Sequence, residues 1–308
     1  MSPLSPSKPA ASWRHRPMGW YAGVLSFFRH LSASVLRREE LGVALFPDRL
    51  ILARVGGGWH RRLVHKEIIA LAPPAPDAPR WQPALEALAG KVASGALAGA
   101  DVTLVLSNHF VHYALVPWSE LLQSEEEQLA FARSRFVRVH GGSAESWSLR
   151  LSRGEAREPR LAGGVEEALI EALNATLAPI GERYRSLQPH LMASFNRWRI
   201  RLGARPRWFV VAEPGLLCLA LLQGGQWKSV RTVRTGADWT EELPGALTRE
   251  QFLVDSQAEC DFVSVFAPDS PAPATMEAGA WKIEYLQPKL LPDMAAGVDA
   301  PFSIAVGA

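Results

Sequence analysis

The sequence predicts an α/β protein built from two related halves, and three observations carry that expectation. First, an apolar run from Leu41 to Phe46 is followed by Pro47 and Asp48, a second run from Arg49 to Val55, the glycines Gly56 to Gly58, and a third run from Trp59. Second, the same order returns as Trp208 to Glu213, Pro214 and Gly215, Leu216 to Leu222, Gly224 and Gly225, and a run from Gln226. Pro47 and Pro214 lie 167 residues apart, and so do Gly57 and Gly224. A period this long implies two whole domains and not a solenoid of short repeats. Third, helical and further extended segments follow each pattern, and 308 residues suffice for two cores. Two unrelated antiparallel meanders stand as the alternative on sequence alone, because Pro and Gly punctuate most turns.

Composition narrows the class. With 48% hydrophobic and 21% charged residues and 11 Trp, the chain has the makings of a globular protein. Its only cysteines, Cys218 and Cys260, sit in or beside apolar runs, which gives neither a disulfide framework nor a paired-Cys zinc signature. A reducing, cytoplasmic setting is expected. A net charge of +2 supplies no bulk reason to bind nucleic acid.

Taken in order, residues 1–19 read as a disordered basic tail rich in Pro, Ser and Ala. Residues 20–38 read as an amphipathic helix, with Trp20, Val24, Phe27, Phe28 and Leu31 on one side and Arg29, Arg37 and Arg38 among the polar positions. Two roles fit that pattern: docking on an anionic membrane surface, or packing on the helix's own domain. The longest uncharged stretch here, Pro17 to Phe28, is 12 residues, short of the roughly 20 that cross a bilayer. Arg29 and His30 also interrupt any secretory-signal pattern.

A Pro-rich loop, Pro73 to Pro83, leads to a helix through about Lys91, a strand from Val102 to Leu106 and an extended run from Phe110 to Val116. Ser124 begins S-E-E-E, where Ser124 and Glu127 form a capping box and the acidic first turn suits the helix dipole. Trp147 to Leu151 reads as a strand, Arg153 to Arg160 as a charged turn, and Val165 to Leu177 as a helix. An extended piece at Tyr184 to Leu187 and a helix from about Pro189 to Leu202 precede the expected joint, Gly203 to Pro206. A helix at Trp239 to Asp255, a strand at Phe262 to Phe266, a loop at Pro268 to Ala278 and a strand at Trp281 to Leu286 follow, and residues 289–308 form a tail of little period.

This order of segments resembles the duplicated ribonuclease-H-like domains of the actin, sugar kinase and heat-shock ATPase superfamily. More narrowly it is similar to the actin-like pilus assembly proteins of the PilM type and to the cytoplasmic parts of type II secretion platforms. The residues that carry the resemblance are L-G-V-A-L-F where that family has I-G-I-D-I-G, the segment Val102 to Trp118, and R-L-A-G-G-V-E-E-A-L from Arg160 to Leu169. The resemblance implies a first actin-like domain at 39–203 with an inserted subdomain at about 108–160, and a second at 204–288. It also implies a cytoplasmic scaffold, peripheral at the inner membrane, that accepts a short cytoplasmic peptide of a single-span pilus or secretion protein. The expected peptide site is a groove between the first domain and its inserted subdomain.

The departures from the family pattern bear on chemistry. In these ATPases each duplicated hairpin cradles phosphate, with an Asp working through Mg²⁺ and a Gly-Ser/Thr turn offering N–H groups. Here the Asp position falls on Ala44 and Val211, and the turns read Phe46, Pro47, Asp48 and Glu213, Pro214, Gly215. Proline donates no N–H, Phe46 adds bulk and Glu213 repels phosphate. ATP hydrolysis is therefore not expected, and no cofactor is assigned. The alternative is an ATPase or kinase relative that binds Mg-ATP in a rearranged cleft. Asp48 or Glu213 would then hold metal from a shifted position, although an ordinary turn residue is the default reading of both.

Other candidates carry less. A spacing of three on an extended segment points His109 and His112 to opposite faces, which disfavours a metal pair. Gly56 to Gly58, Gly141 with Gly142, and Gly163 with Gly164 read as turns. Ser107 and Ser148 lack a nucleophile context. Trp118, after Pro117 in the inserted segment, is the aromatic singled out as a partner contact.

Overall fold

The computed structural model describes residues 38–57, 61–153, 157–236, 238–254, 260–270 and 275–307. The expected basic tail, the amphipathic helix up to Arg37 and Trp59 lie outside the described residues. In the first half, β1 (Glu39–Leu45), β2 (Arg49–Gly56) and β3 (Arg62–Ala70) form an antiparallel meander, followed by α1 (Gln82–Ala93) and β4 (Ala100–Leu106). The inserted segment holds β5 (His112–Val116), α2 (Glu125–His140), β6 (Trp147–Leu151) and β7 (Arg160–Glu166). Then come α3 (Glu167–Leu177), β8 (Tyr184–Pro189) and α4 (His190–Leu202). The second half runs β9 (Arg207–Glu213), β10 (Leu216–Gln223), β11 (Gln226–Arg234), α5 (Trp239–Leu253), β12 (Phe262–Phe266), β13 (Thr275–Ala278) and β14 (Trp281–Tyr285).

The two large sheets repeat one topology. The first is ordered β3-β2-β1-β4-β8 and the second β11-β10-β9-β12-β14-β13, so in both the meander's first strand runs parallel to the strand after the helix. The halves are thus related domains, as the 167-residue register predicts. β13 is the one addition, a hairpin strand where a loop was expected.

Alternation along the strands builds two cores per sheet. Val43 and Leu45 face α1 and α3, packing with Leu88, Leu169 and Leu173, while Ala44, Ile51 and Val105 face the other way. In the second sheet Trp208 and Val210 face α5, and Phe209 and Val211 face α4. α4 therefore lies between the two sheets: its Ala193 packs on the first, and its Leu191 and Trp198 on the second.

The segment after Pro288 is not a loose tail. Met294, Phe302, Ile304 and Ala305 are buried against Ala44, Phe46 and Ile51, and Ala300–Ile304 forms a 3₁₀ turn. Its signal was invisible to periodicity because it packs as an irregular strap. Gly42 makes room for it, since a Cβ at this position would overlap the Ala305 carbonyl.

The third sheet, ordered β5-β7-β6, corrects a second expectation: Gly163 and Gly164 lie inside its middle strand and not in a turn. A Cβ on Gly164 would come within 3.0 Å of Leu149 and 3.1 Å of the Trp147 ring. Glycine inside a strand here marks a close approach of neighbours. The helix expected to start at Val165 accordingly starts at Glu167. The Ser124–Glu127 capping box on α2 is present, with both reciprocal bonds made.

Candidate functional site

The parallel strands β1, β4, β9 and β12 all end at the joint between the halves, the place where open α/β sheets bind ligands. Two hairpin turns meet there. In the first, the Phe46 N–H donates to the Arg49 carbonyl across Pro47 and Asp48 (2.9 Å), and in the second Pro214 and Gly215 link Glu213 to Leu216.

Between the turns lies a polar network buried on all sides. The fully buried Glu213 carboxylate accepts hydrogen bonds from the Ser107 hydroxyl, from the Asn108 N–H (2.9 Å) and from His190 Nδ1 (2.7 Å). Ser107 and Asn108 follow β4, and His190 opens α4, so the second half is tied to the first at three points by one side chain. Burial pushes the Glu213 carboxyl up, and the bonds from His190, Ser107 and Asn108 outweigh it, holding the group below the usual carboxylate range. Asn108 Oδ1 in turn accepts from the Tyr113 hydroxyl (2.7 Å) and the Leu191 N–H (3.0 Å).

Aromatic rings close the remaining space. The edges of Phe46 and Phe266 meet the His190 ring at centroid distances of 5.7 and 6.0 Å. Arg49 lies over the Phe46 ring and bridges the halves by pairing with Asp48 (2.8 Å) and Asp269 (2.5 Å). Burial raises the Asp269 carboxyl, with Arg49 opposing it.

The structure separates the phosphate-loop positions. Ala44 and Val211 are buried in the inner faces of their sheets, each where the resemblance implies an Asp. Asp48 remains a turn residue, more than half exposed. Glu213 departs from its expected role: it is the hub of the joint and not an ordinary turn residue. Ser107, Asn108 and His190 are the partners that sequence reasoning missed. The available signal was polar residues placed directly after buried strands, as in L-S-N and Q-P-H.

His109 and His112 lie apart, although His109 sits in the 3₁₀ turn Asn108–Phe110 and not on the extended segment that their spacing assumed. His109 Nε2 donates to the Pro214 carbonyl (3.0 Å), whereas His112 stacks on Trp147 at 4.2 Å with His140 beside it at 4.5 Å. Among the described residues no three His, Cys, Asp or Glu side chains gather as a metal site. Trp118 is 45% exposed, with the Arg157 guanidinium 5.9 Å from its ring centre. Of the expected membrane-docking set, Trp20, Val24, Phe27, Phe28, Arg29, Leu31 and Arg37 lie outside the described residues, and Arg38 is exposed ahead of β1.

A groove of about 1020 Å³ borders the inserted subdomain. It runs between β5 and α2 on one side and β11 with the end of α5 on the other, so its second wall belongs to the second domain and not to the first. Leu115, Phe136, Trp227 and Val230 line it together with Arg135, Lys228 and Arg231.

With this geometry in hand, comparison with solved structures gives the fold. The chain is similar to the protein of a PilM-PilN type IV pilus biogenesis complex, at a TM-score of 0.58 and 15% identity over 87% of this chain and 96% of that one. It is also similar to the cytoplasmic domain of EpsL, an inner-membrane component of the type II secretion system of Vibrio cholerae, at 0.54 and 13% over 83% and 92%. A Bacteroides thetaiotaomicron protein of actin-like ATPase fold and unknown function matches at 0.51 and 12% over 74% and 81%. No family model and no curated protein matches the sequence.

Proposed function

We propose, from the premise of an actin-like ATPase fold, that this chain is a non-catalytic cytoplasmic scaffold of a type IV pilus or type II secretion assembly platform, binding the cytoplasmic peptide of a single-span membrane partner. The observation that carries the reading is the Glu213 carboxylate. Its three hydrogen-bond donors, Ser107, Asn108 and His190, lie at the joint between the two hairpin turns, and the chain supplies its own anion to them. A second anion entering beside it meets like charge in a site shielded from water. Phe46 and Pro47 fill the facing turn with bulk and remove an N–H.

The same fold occurs in a protein solved in a pilus biogenesis complex and in an inner-membrane secretion component, which supports the platform setting. No helix among the described residues is long and apolar enough to cross a membrane. Attachment is assigned mainly to the partner, with residues 20–38 adding a weak surface contact, since one amphipathic segment alone gives marginal binding.

The test is affinity purification of the tagged protein from gently solubilised host membranes, read by mass spectrometry. Recovery of a small single-span protein with pilus or secretion components is the expected result. Recovery from the soluble fraction without them rejects the platform assignment.

A further inference from the structure

We propose that the ends of α2 and α5 form a docking face for an anionic lipid surface, with Phe252 and Leu253 as its apolar points; the inference rests on the peripheral membrane setting proposed above and names where the folded chain meets lipid. Exposure gives the first argument. Phe252 and Leu253 close α5 at 87% and 66% exposed, and Val139, near the end of α2, is 70% exposed. A single apolar side chain in water needs no explanation, whereas several gathered on one face mark a contact surface. Val139 and Leu253 border the same groove, which places the two helix ends on one side of the molecule.

Charge gives the second argument. Arg135 of α2 and Lys228 and Arg231 of β11 line that groove, and no carboxylate does so among the described residues. Arg249 is exposed one helical turn before Phe252. Arg135, Lys228 and Arg249 form no ion pair with a described residue, and Arg231 has only a loose contact of 3.7 Å with the buried Glu250. That contact sets Arg231 beside the turn of α5 that carries Phe252 and Leu253. Apolar points among cations suit the boundary of an anionic bilayer, which attracts each Lys or Arg while the apolar side chains enter the acyl edge.

Packing decides between lipid and a peptide. β5 and β11 pack directly on each other, and Phe136, Trp227 and Val230 are buried in the protein's own cores. The seam between the two helix ends therefore offers neither a free strand edge nor an apolar floor. A protein partner draws its affinity from anchors that fill desolvated pockets. A lipid surface needs no pocket and accepts protruding apolar residues with cations around them. Because Phe252 and Leu253 belong to a folded domain, contact here also sets the orientation of the protein on the bilayer.

The test labels the full chain with the environment-sensitive fluorophore NBD at Phe252→Cys, the native Cys218 and Cys260 being buried. Vesicles of phosphatidylglycerol and phosphatidylcholine in equal parts are expected to raise its emission about twofold or more, and spin-labelled lipid to quench it. The response is expected to weaken as salt rises, because exposed cations are screened. The same label at Ile200→Cys, a site 89% exposed on α4, is expected not to respond. Arg135→Glu combined with Lys228→Glu is expected to weaken vesicle binding, read by the label at Phe252→Cys, by about tenfold. No response at Phe252→Cys, whether or not the protein sediments with the vesicles, overturns the proposal. So does an equal response at Ile200→Cys, to vesicles of phosphatidylcholine alone, or to an oligonucleotide in place of vesicles. None of these results bears on whether platform components co-purify, so the two readings fail separately.

Discussion

Glu213 and His190 meet in a buried hydrogen bond across the joint of the two halves, with His190 Nδ1 2.7 Å from Glu213 Oε1 and neither side chain reached by solvent. One comes from the end of the second meander's first strand and the other from the start of the helix between the sheets. Together with Ser107 and Asn108, the pair ties the second half to the first at the joint.

Removing the carboxylate leaves His190, Ser107 and the Asn108 N–H without their acceptor. Glu213→Ala is expected to cost about 3 kcal/mol or more, since each buried donor left unsatisfied costs about 1–3 kcal/mol. Chemical denaturation of both proteins checks it. The folded Glu213 carboxyl is lowered, so its contribution is complete above the ordinary carboxylate range and is lost as pH falls through the folded value. The variant is expected to show a flatter stability profile below about pH 4.5.

Gly42 is expected to be intolerant of the smallest side chain. Gly42→Ala drives a methyl into the Ala305 backbone and lifts the strap from Ala44, Phe46 and Ile51. Limited proteolysis is expected to remove the C-terminal segment from the variant far faster than from the parent.

His112 sits against Trp147 and His140, and burial with the nearby His140 pushes its imidazole down to about 4. Its unfolded form takes up a proton near pH 6.5, so the unfolded state binds more protons between those values. Stability from this site is complete above about pH 6.5 and is lost toward pH 4, by on the order of 2 kcal/mol after discounting for its exposed edge. His112→Phe keeps the stack and is expected to remove that part of the pH dependence, as followed by denaturant midpoints.

Ser124→Ala removes the acceptor for the Glu127 N–H and undoes the capping box of α2. A loss of about 1 kcal/mol is expected. Hydrogen exchange is expected to show it as fraying confined to the first turn of α2.

Much of the fold was legible because it is written locally. The two hairpins carry Pro at one turn and Gly at the next, and burial of both sheet faces makes Leu41–Leu45 and Trp208–Ala212 continuous apolar runs. Ser124 announced its helix by a capping pattern four residues long. What stayed hidden depended on neighbours distant in sequence. Gly163 and Gly164 looked like a turn because the Trp147 and Leu149 side chains that require Gly164 are not adjacent in the chain. The strap around Phe302 has no period to read. At the site, Pro214 and Phe46 signalled closed turns, but the fate of Glu213 depended on Ser107 and His190, which lie 106 and 23 residues away.

The central claim is that the joint is filled by the chain's own carboxylate and holds no nucleotide. Isothermal calorimetry of the full protein with Mg-ATP tests it most directly. No saturable heat is the predicted result. Binding in the micromolar range, abolished by Glu213→Ala or Asp48→Ala, would contradict the account and place a working nucleotide site in the cleft.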